Sequence, residues 1–134
     1  MPDAPLPRVL VADDDDEMRA YIRHSLRTSA RVSEVVDGTE ALHLALRLPP
    51  DLVIADVRMP GLDGHALCAA LRADGATRDV PVLLVSGEPR GEPACEDGFL
   101  AKPFNAASLR AAVERLLPRR LEPHSAAPSA PPSR

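Results

Sequence analysis

Short apolar segments alternate along the chain with segments in which apolar residues recur every three or four positions. The apolar segments have the length of buried strands, and the others have the spacing of amphipathic helices. This alternation is typical of a parallel sheet covered by helices. We therefore predict an α/β fold with strands over residues 9–12, 32–36, 52–55, 82–85 and the short 99–101.

Four segments between and after these strands have helical features. The first helix, over residues 17–27, has Met18, Ile22 and Leu26 spaced by four. Each of the other three follows a side chain that can accept hydrogen bonds from a first helical turn. These predicted helices run through residue 46 after Asp37, over 64–72 after Asp63 and over 106–117 after Asn105.

The composition allows one hydrophobic core and changes sharply near the C-terminus. The chain has 134 residues, of which 45% are hydrophobic, and this suits a single domain. From Pro118 the sequence reads PRRLEPHSAAPSAPPSR, with five prolines and little to bury. We predict an N-terminal extension over 1–7, a folded domain over 8–117 and a disordered Pro-rich tail over 118–134.

Charge and composition exclude several classes of protein. The net charge of −4, the absence of a basic stretch and the three aromatic residues argue against direct binding to nucleic acid. No apolar stretch has membrane-spanning length, and the N-terminus lacks a secretion signal, which predicts a cytoplasmic protein without membrane contact. Cys68 and Cys95 lack metal-ligand spacing, so we expect them to be reduced and structural. The four histidines also lack metal-ligand spacing.

Polar side chains follow four of the predicted strands. Asp13 and Asp14 follow the first strand, Asp56 the third, Ser86 the fourth and Lys102 the fifth. In an open parallel sheet, the functional crevice lies at the carboxyl ends of the strands, so these side chains should meet at one edge. Lys102 is also the only lysine among sixteen basic residues, which suggests a specific need for an ammonium group.

Four motifs follow one another along the chain: the acidic pair, PDLVIADVRMPGLDG, the Ser-Gly after VPVLLV and the Lys-Pro-Phe of FLAKPF. With these motifs in this order, the chain resembles a receiver domain of the response regulators of two-component signalling. The resemblance covers about residues 8 to 117. It implies a doubly wound five-stranded sheet of order 2-1-3-4-5. It also assigns each polar residue a role: Asp56 is the phosphoacceptor, Asp13 and Asp14 the acidic pair, Ser86 the switch hydroxyl, Phe99 the switch aromatic and Lys102 the phosphate-contacting lysine.

The chemistry of phosphoryl transfer to a carboxylate agrees with these roles. Because the transition state is loose, the site must mainly position groups and neutralise charge. Mg²⁺, or Mn²⁺ in its place, suits a site of oxygen ligands. We expect Asp14, Asp56 and the backbone carbonyl of Arg58 to bind it directly, and Asp13 to act through water. Asp15 and Asp16 should begin the first helix, where negative charge is favourable.

Two other functions stay open at this point. A phosphatase that forms an aspartyl-phosphate intermediate would use Asp13, since Asp13-Asp14-Asp15 fits its Asp-x-Asp pattern. That function leaves Asp56 in PDLVIADVRMPG unexplained. The second alternative is a receiver-like docking module that never uses phosphate. The intact acceptor, acidic and lysine positions count against it.

The segment GEPRGEPACEDG, residues 87–98, departs from the family pattern. The family has a full helix there, but two prolines and three glycines allow no more than about one turn. In the family, that helix, the fifth strand and the last helix form the face used for dimerisation and output. We therefore predict a remodelled face with a loop or short turn in place of the helix.

The partners implied by the resemblance are a sensor histidine kinase or phosphotransfer protein and an output protein that the sequence does not name. Only the Pro-rich segment follows the last predicted helix, so we expect a stand-alone regulator acting by protein contact. The alternative is a receiver within a longer chain. The only reactions that the receiver domain would catalyse are its own phosphorylation and dephosphorylation.

Two local geometries are also expected. Receiver domains have a cis peptide bond at the position of Lys102-Pro103, which aims the lysine at the site, and we predict it here. Arg58 and Glu88 occupy the positions two residues after Asp56 and Ser86, which in the family tune phosphoryl hydrolysis. Their opposite charges predict an ion pair above the phosphoryl group, with two solvent-facing side chains as the alternative.

Overall fold

The computed structural model describes residues 5–118 and contains five strands and four helices in that range. Their order along the chain is β1 Arg8–Ala12, α1 Asp16–Ser25, β2 Arg31–Val35, α2 Gly38–Arg47, β3 Leu52–Asp56, α3 Gly64–Ala73, β4 Val82–Ser86, β5 Gly98–Ala101 and α4 Ala106–Leu116. The predicted strands are confirmed to within one residue at each end. The first helix begins one residue earlier and ends two residues earlier than predicted.

The strands form one parallel sheet of order β2-β1-β3-β4-β5, which confirms the predicted fold class. All five residues of β3 and all five of β4 are buried. Central parallel strands are covered on both faces, so they require continuous apolar sequence. At the edge, β2 alternates between exposed and less exposed residues over its first four positions.

Helices cover both faces of the sheet. On one face, α2 and α3 pack through Ala41, Ala45, Leu67 and Leu71 against β1, β3 and β4. On the other face, the packing comes from α1 and α4, and its buried residues are Ile22, Leu26, Leu109, Ala112 and Val113. The site at the carboxyl ends of the strands therefore rests on a core built from aliphatic side chains.

Short polar side chains begin the helices at the predicted positions. Asp37, Asp63 and Asn105 each accept a hydrogen bond from a backbone N–H in the first turn of the following helix. Asp15 does the same for α1, accepting from Glu17 and Met18. Each bond satisfies a donor that the helix itself leaves unpaired, which fixes where the helix starts.

No helix forms between β4 and β5, as predicted from the prolines and glycines there. Residues 87–97 instead form an irregular segment, here named the β4–β5 loop. Arg72 of α3 holds its C-terminal half through hydrogen bonds to the Cys95 carbonyl at 3.1 Å and to Asp97 Oδ2 at 2.6 Å. The same Asp97 oxygen accepts from the backbone N–H of Val82 at 2.8 Å.

The prediction that both cysteines are reduced is wrong for this structure. Cys68 and Cys95 are paired in a disulfide whose Cα atoms lie 6.4 Å apart. Cys68 lies on the buried face of α3, and Cys95 lies in the β4–β5 loop. The two residues are 27 positions apart, and only the folding of the loop against α3 brings them together, so their spacing gave no sign of pairing.

Within residues 5–118, none of the helices has the length and apolar content needed to cross a membrane. The predicted N-terminal extension and Pro-rich tail lie largely outside the described residues, which begin at Pro5 and end at Pro118. Their predicted state therefore stays a prediction.

Candidate functional site

The sheet topology brings four strand ends to one edge. Asp56 is the last residue of β3 and Ser86 the last residue of β4. The register pairs Asp56 with Val85 and Ser86 with Ala101, so Lys102 immediately follows the β5 partner of Ser86. Asp13 directly follows β1, which neighbours β3. The predicted polar residues therefore occupy adjacent strand ends.

Three carboxylates converge at this edge. Asp13, Asp14 and Asp56 each offer an oxygen, and these oxygens all lie within 4.8 Å of one another. Asp13 is only 1% exposed and Asp56 9% exposed, whereas Asp14 faces solvent. Backbone N–H groups fix the two less exposed carboxylates: Asp15 donates to Asp13 at 2.9 Å, and Arg58 donates to Asp56 at 3.2 Å. The result is an anionic pocket open on the Asp14 side.

Lys102 supplies positive charge to this pocket. Its Nζ lies 3.1 Å from Asp56 Oδ2 and 3.3 Å from Asp13 Oδ2. Its backbone N–H donates to the Ser86 carbonyl at 2.8 Å, which places the residue directly beyond β4. The following bond to Pro103 is cis, as predicted. One ammonium group therefore contacts two of the three carboxylates.

The pKa values at the site reflect burial and close charge. Burial raises the pKa of Asp13, and the nearby Asp56 carboxylate also raises it, while the Asp15 N–H and Lys102 oppose this. For Lys102, burial lowers the pKa, but the hydrogen bond to Asp56 and the charges of both aspartates outweigh burial and raise it. Lys102 is therefore a stable cation at neutral pH, and Asp13 is the carboxylate whose charge is disfavoured by its surroundings.

The two predicted switch residues lie on neighbouring strands. Ser86 is 4% exposed, and its Oγ accepts a hydrogen bond from the Glu88 N–H at 3.0 Å. Phe99 is partly buried on β5 and packs against the core. The guanidinium of Arg90 lies over its ring, 5.4 Å from the ring centroid, which is within the range of a cation–π contact.

Arg58 and Glu88 form the predicted ion pair. Arg58 Nη2 lies 2.8 Å from Glu88 Oε2, and both side chains are exposed. The hydrogen bond to Glu88 raises the pKa of Arg58. Both residues line an open cleft beside the acidic pocket, together with Val57, Met59 and Asp63. The pair therefore connects the loop after β3 with the β4–β5 loop at the mouth of the site.

Sequence reasoning missed Arg90 and its partner Glu96. Arg90 Nη2 lies 3.0 Å from Glu96 Oε2, and the Glu96 side chain is 1% exposed. Burial favours a higher pKa for Glu96, but its backbone hydrogen bonds and Arg90 outweigh burial and lower the pKa. This pair holds Arg90 over Phe99. No helical or strand periodicity marks the β4–β5 loop, so the sequence contained no signal for the contact.

Comparison with known proteins agrees with this architecture. The family described as "Response regulator receiver domain" matches residues 9–114. Transcriptional regulatory protein PrrA of Mycobacterium leprae is 43% identical over 121 residues, covering 85% of this chain and 51% of the relative. The chain thus spans about half the length of this curated relative.

Two solved structures have the same fold. The chemotaxis response regulator CheY4 of Vibrio cholerae matches with a TM-score of 0.78 and 30% identity, covering 84% of this chain and 99% of that one. The receiver domain of sensor histidine kinase PA1611 from Pseudomonas aeruginosa matches with a TM-score of 0.77 and 29% identity, covering 83% of this chain and 97% of that one. That structure is described with a magnesium ion coordinated in its active-site cleft.

Proposed function

Because this chain belongs to the response regulator receiver domain family, we propose that it accepts a phosphoryl group on Asp56 from a sensor histidine kinase or phosphotransfer protein. The observation that carries the proposal is the acidic pocket with its single lysine: three carboxylates within 4.8 Å of one another, and Lys102 Nζ 3.1 Å from Asp56. Asp56 ends a central strand, and a hydrogen bond from the Arg58 N–H holds its Oδ1.

The residues around Asp56 suit this transfer. An Asp56 oxygen attacks the phosphorus, and the bond from phosphorus to the donor's imidazole nitrogen breaks. Negative charge then spreads over the phosphoryl oxygens, and Lys102 offsets it. The Ser86 hydroxyl, at the end of the adjacent strand, is the proposed hydrogen-bond donor to the new phosphoryl group. The domain thus catalyses only its own phosphorylation and dephosphorylation.

The acidic pocket also fits a divalent cation. All three side chains offer hard carboxylate oxygens, which Mg²⁺ prefers and Mn²⁺ accepts. Asp14 and Asp56, with the Arg58 carbonyl, would hold the ion directly. Asp13 would act through water, since it is the most deeply buried of the three carboxylates. When bound, such an ion neutralises charge that develops on the phosphoryl oxygens.

We propose that phosphorylation signals to a protein partner through Ser86 and Phe99. Both lie on strands that border the β4–β5 loop, and Arg90 of that loop covers Phe99. The proposed setting is cytoplasmic. The negative net charge argues against direct contact with nucleic acid or an anionic membrane. Since PrrA is about twice as long as the matched region, any output by further domains is outside this proposal.

The test is to locate the phosphoryl group. The protein is incubated with Mg²⁺ and a small acyl phosphate, trapped by borohydride reduction and analysed by peptide mass spectrometry. We expect modification at Asp56 and none in an Asp56→Asn control. Modification at Asp13 would instead support the phosphatase alternative. A protein that binds partners but takes no phosphoryl group would be the docking module.

The Arg58–Glu88 ion pair is expected to lengthen the lifetime of the phosphorylated state. Hydrolysis requires water to approach phosphorus in line with the Asp56 oxygen. The paired side chains stand at the mouth of the site and obstruct that approach. Arg58→Ala and Glu88→Ala should each speed dephosphorylation about threefold, and the double variant should be no faster than either one.

The measurement is the decay of phosphorylated protein after the donor is removed. Arg78→Ala is a suitable control, because Arg78 is also an exposed arginine but follows α3, outside the cleft. Unchanged lifetimes, or independent effects that multiply in the double variant, would show that the two side chains do not act as one barrier.

A further inference from the structure

The β4–β5 loop is joined to α3 by a bond that thiol chemistry can make and break. The Cα atoms of Cys68 and Cys95 are 6.4 Å apart, within the range that a disulfide spans without movement of the backbone. Neither residue takes part in the phosphoacceptor site. We propose that Cys68 and Cys95 form a reversible dithiol–disulfide site, which reacts with small thiols and disulfides and controls the mobility of the β4–β5 loop.

Arg72 makes the site suitable for repeated opening and closing. It lies four residues after Cys68, on the same side of α3, and donates to the Cys95 carbonyl and to Asp97. These hydrogen bonds do not depend on the sulfur atoms. They keep Cys95 beside α3 after reduction. The two thiols therefore stay close to each other, and the disulfide can form again without a large movement of the loop.

The two cysteine residues differ in access to solvent. Cys68 is fully buried, whereas Cys95 is partly exposed in the loop. The Cys95 thiolate therefore attacks a small disulfide RSSR first, forming a mixed disulfide and releasing one RS⁻. The Cys68 thiolate then attacks the Cys95 sulfur and displaces the second RS⁻. The two cysteines lose two electrons, RSSR gains them, and the two thiol protons leave with the RSH products.

The bond restrains a loop that has few other contacts along its exposed part. A Cβ added at Gly87 or Gly91 would meet no atom within 4 Å, so these positions face open space. The same loop carries Glu88, which pairs with Arg58, and Arg90, which covers Phe99. After reduction, the loop is still held by the hydrogen bonds from Arg72, the Arg58–Glu88 pair and the contact of Arg90 with Phe99. The oxidised loop is thus held over the site mouth more firmly than the reduced loop.

The first test counts thiols in the full chain. The protein is equilibrated with oxidised glutathione or with dithiothreitol, alkylated in denaturant and weighed by mass spectrometry. We expect no alkylated cysteine after oxidation and two after reduction. Oxidised protein that keeps two free thiols, carries glutathione on Cys95 or links to a second chain would overturn the proposal. Asp97→Asn, which weakens the hold of Arg72 on the loop, should shift a glutathione titration toward the dithiol form.

The second test measures amide hydrogen exchange. Residues 88–96 should exchange about tenfold faster in reduced than in oxidised protein. Cys95→Ser is the control, because it keeps the size of the side chain and leaves the buried Cys68 in place. It should exchange at the reduced rate under both conditions, with unchanged rates in α1. Equal exchange in oxidised and reduced wild-type protein would show that the bond does not restrain the loop.

A consequence for signalling rests on the proposed function. If Glu88 slows hydrolysis at Asp56, the oxidised protein should keep its phosphoryl group about twofold longer than the reduced protein, and Cys95→Ser should remove the difference. Equal lifetimes, together with different exchange rates, would overturn this consequence. Failure to phosphorylate Asp56 would overturn the proposed function, whereas the thiol counts and exchange rates do not involve phosphoryl transfer.

Discussion

Replacing Lys102 with alanine is expected to slow phosphorylation of Asp56 by about a hundredfold, the usual effect of removing one preorganised charge donor. The Lys102 Nζ contacts both Asp56 and Asp13. Arg58, the nearest arginine in sequence to Asp56, directs its guanidinium to Glu88. No other lysine exists in the chain to replace the lost charge. The measurement is the initial rate of phosphorylation by a small acyl phosphate at fixed Mg²⁺.

Lys102→Arg separates charge from shape. An arginine keeps the positive charge but presents a planar fork in place of a compact ammonium, so its rate should lie between wild type and Lys102→Ala. The alanine variant also leaves three carboxylates without their neighbouring cation. Its melting temperature should therefore rise more on addition of Mg²⁺ than that of wild type. A Lys102→Ala rate within about twofold of wild type would rule out the proposed role of the lysine.

The strands were predictable because burial leaves a simple pattern. β3 and β4 are buried at every position, and their apolar sequences end at Asp56 and Ser86. Such runs are required where helices cover both faces of a sheet. Helix starts were predictable for a different reason: Asp37, Asp63 and Asn105 each satisfy a backbone donor of the first turn.

The position of the acidic pocket was also predictable, because it follows from topology. Once the strands are parallel, residues after β1, β3, β4 and β5 must lie at the same edge. That argument places Asp13, Asp56, Ser86 and Lys102 near one another without any knowledge of side-chain rotamers. The contacts of Lys102 with two aspartates at once required the structure.

The contacts of the β4–β5 loop could not be predicted from the sequence. Prolines and glycines correctly excluded a helix there, but they do not determine what an irregular segment contacts. The contacts that hold the loop join residues far apart in sequence, such as Arg72 with Asp97 and Cys68 with Cys95. Neither pair has a characteristic spacing. These contacts depend on the tertiary path of the loop, so the cysteine pairing was predicted wrongly and the Arg90–Phe99 contact was not predicted at all.

Gly38→Ala is expected to lower the free energy of unfolding by about 3 kcal/mol or more, at the upper end of overpacking effects. Gly38 is the first residue of α2 and is buried against the loop that follows β3. A Cβ at this position would lie 2.0 Å from the Leu62 carbonyl oxygen and 2.8 Å from its carbon. These are backbone atoms, which cannot rotate away. The loop between Asp56 and α3 must therefore move as a whole.

The measurement is urea unfolding of Gly38→Ala beside Gly87→Ala. At Gly87 an added Cβ meets no atom within 4 Å, so the same change should alter the free energy of unfolding by less than about 0.5 kcal/mol. Since Arg58 lies in the loop that must move, Gly38→Ala should also change the lifetime of the phosphorylated state. A Gly38→Ala protein as stable as Gly87→Ala would show that α2 does not fix the loop beside the phosphoacceptor.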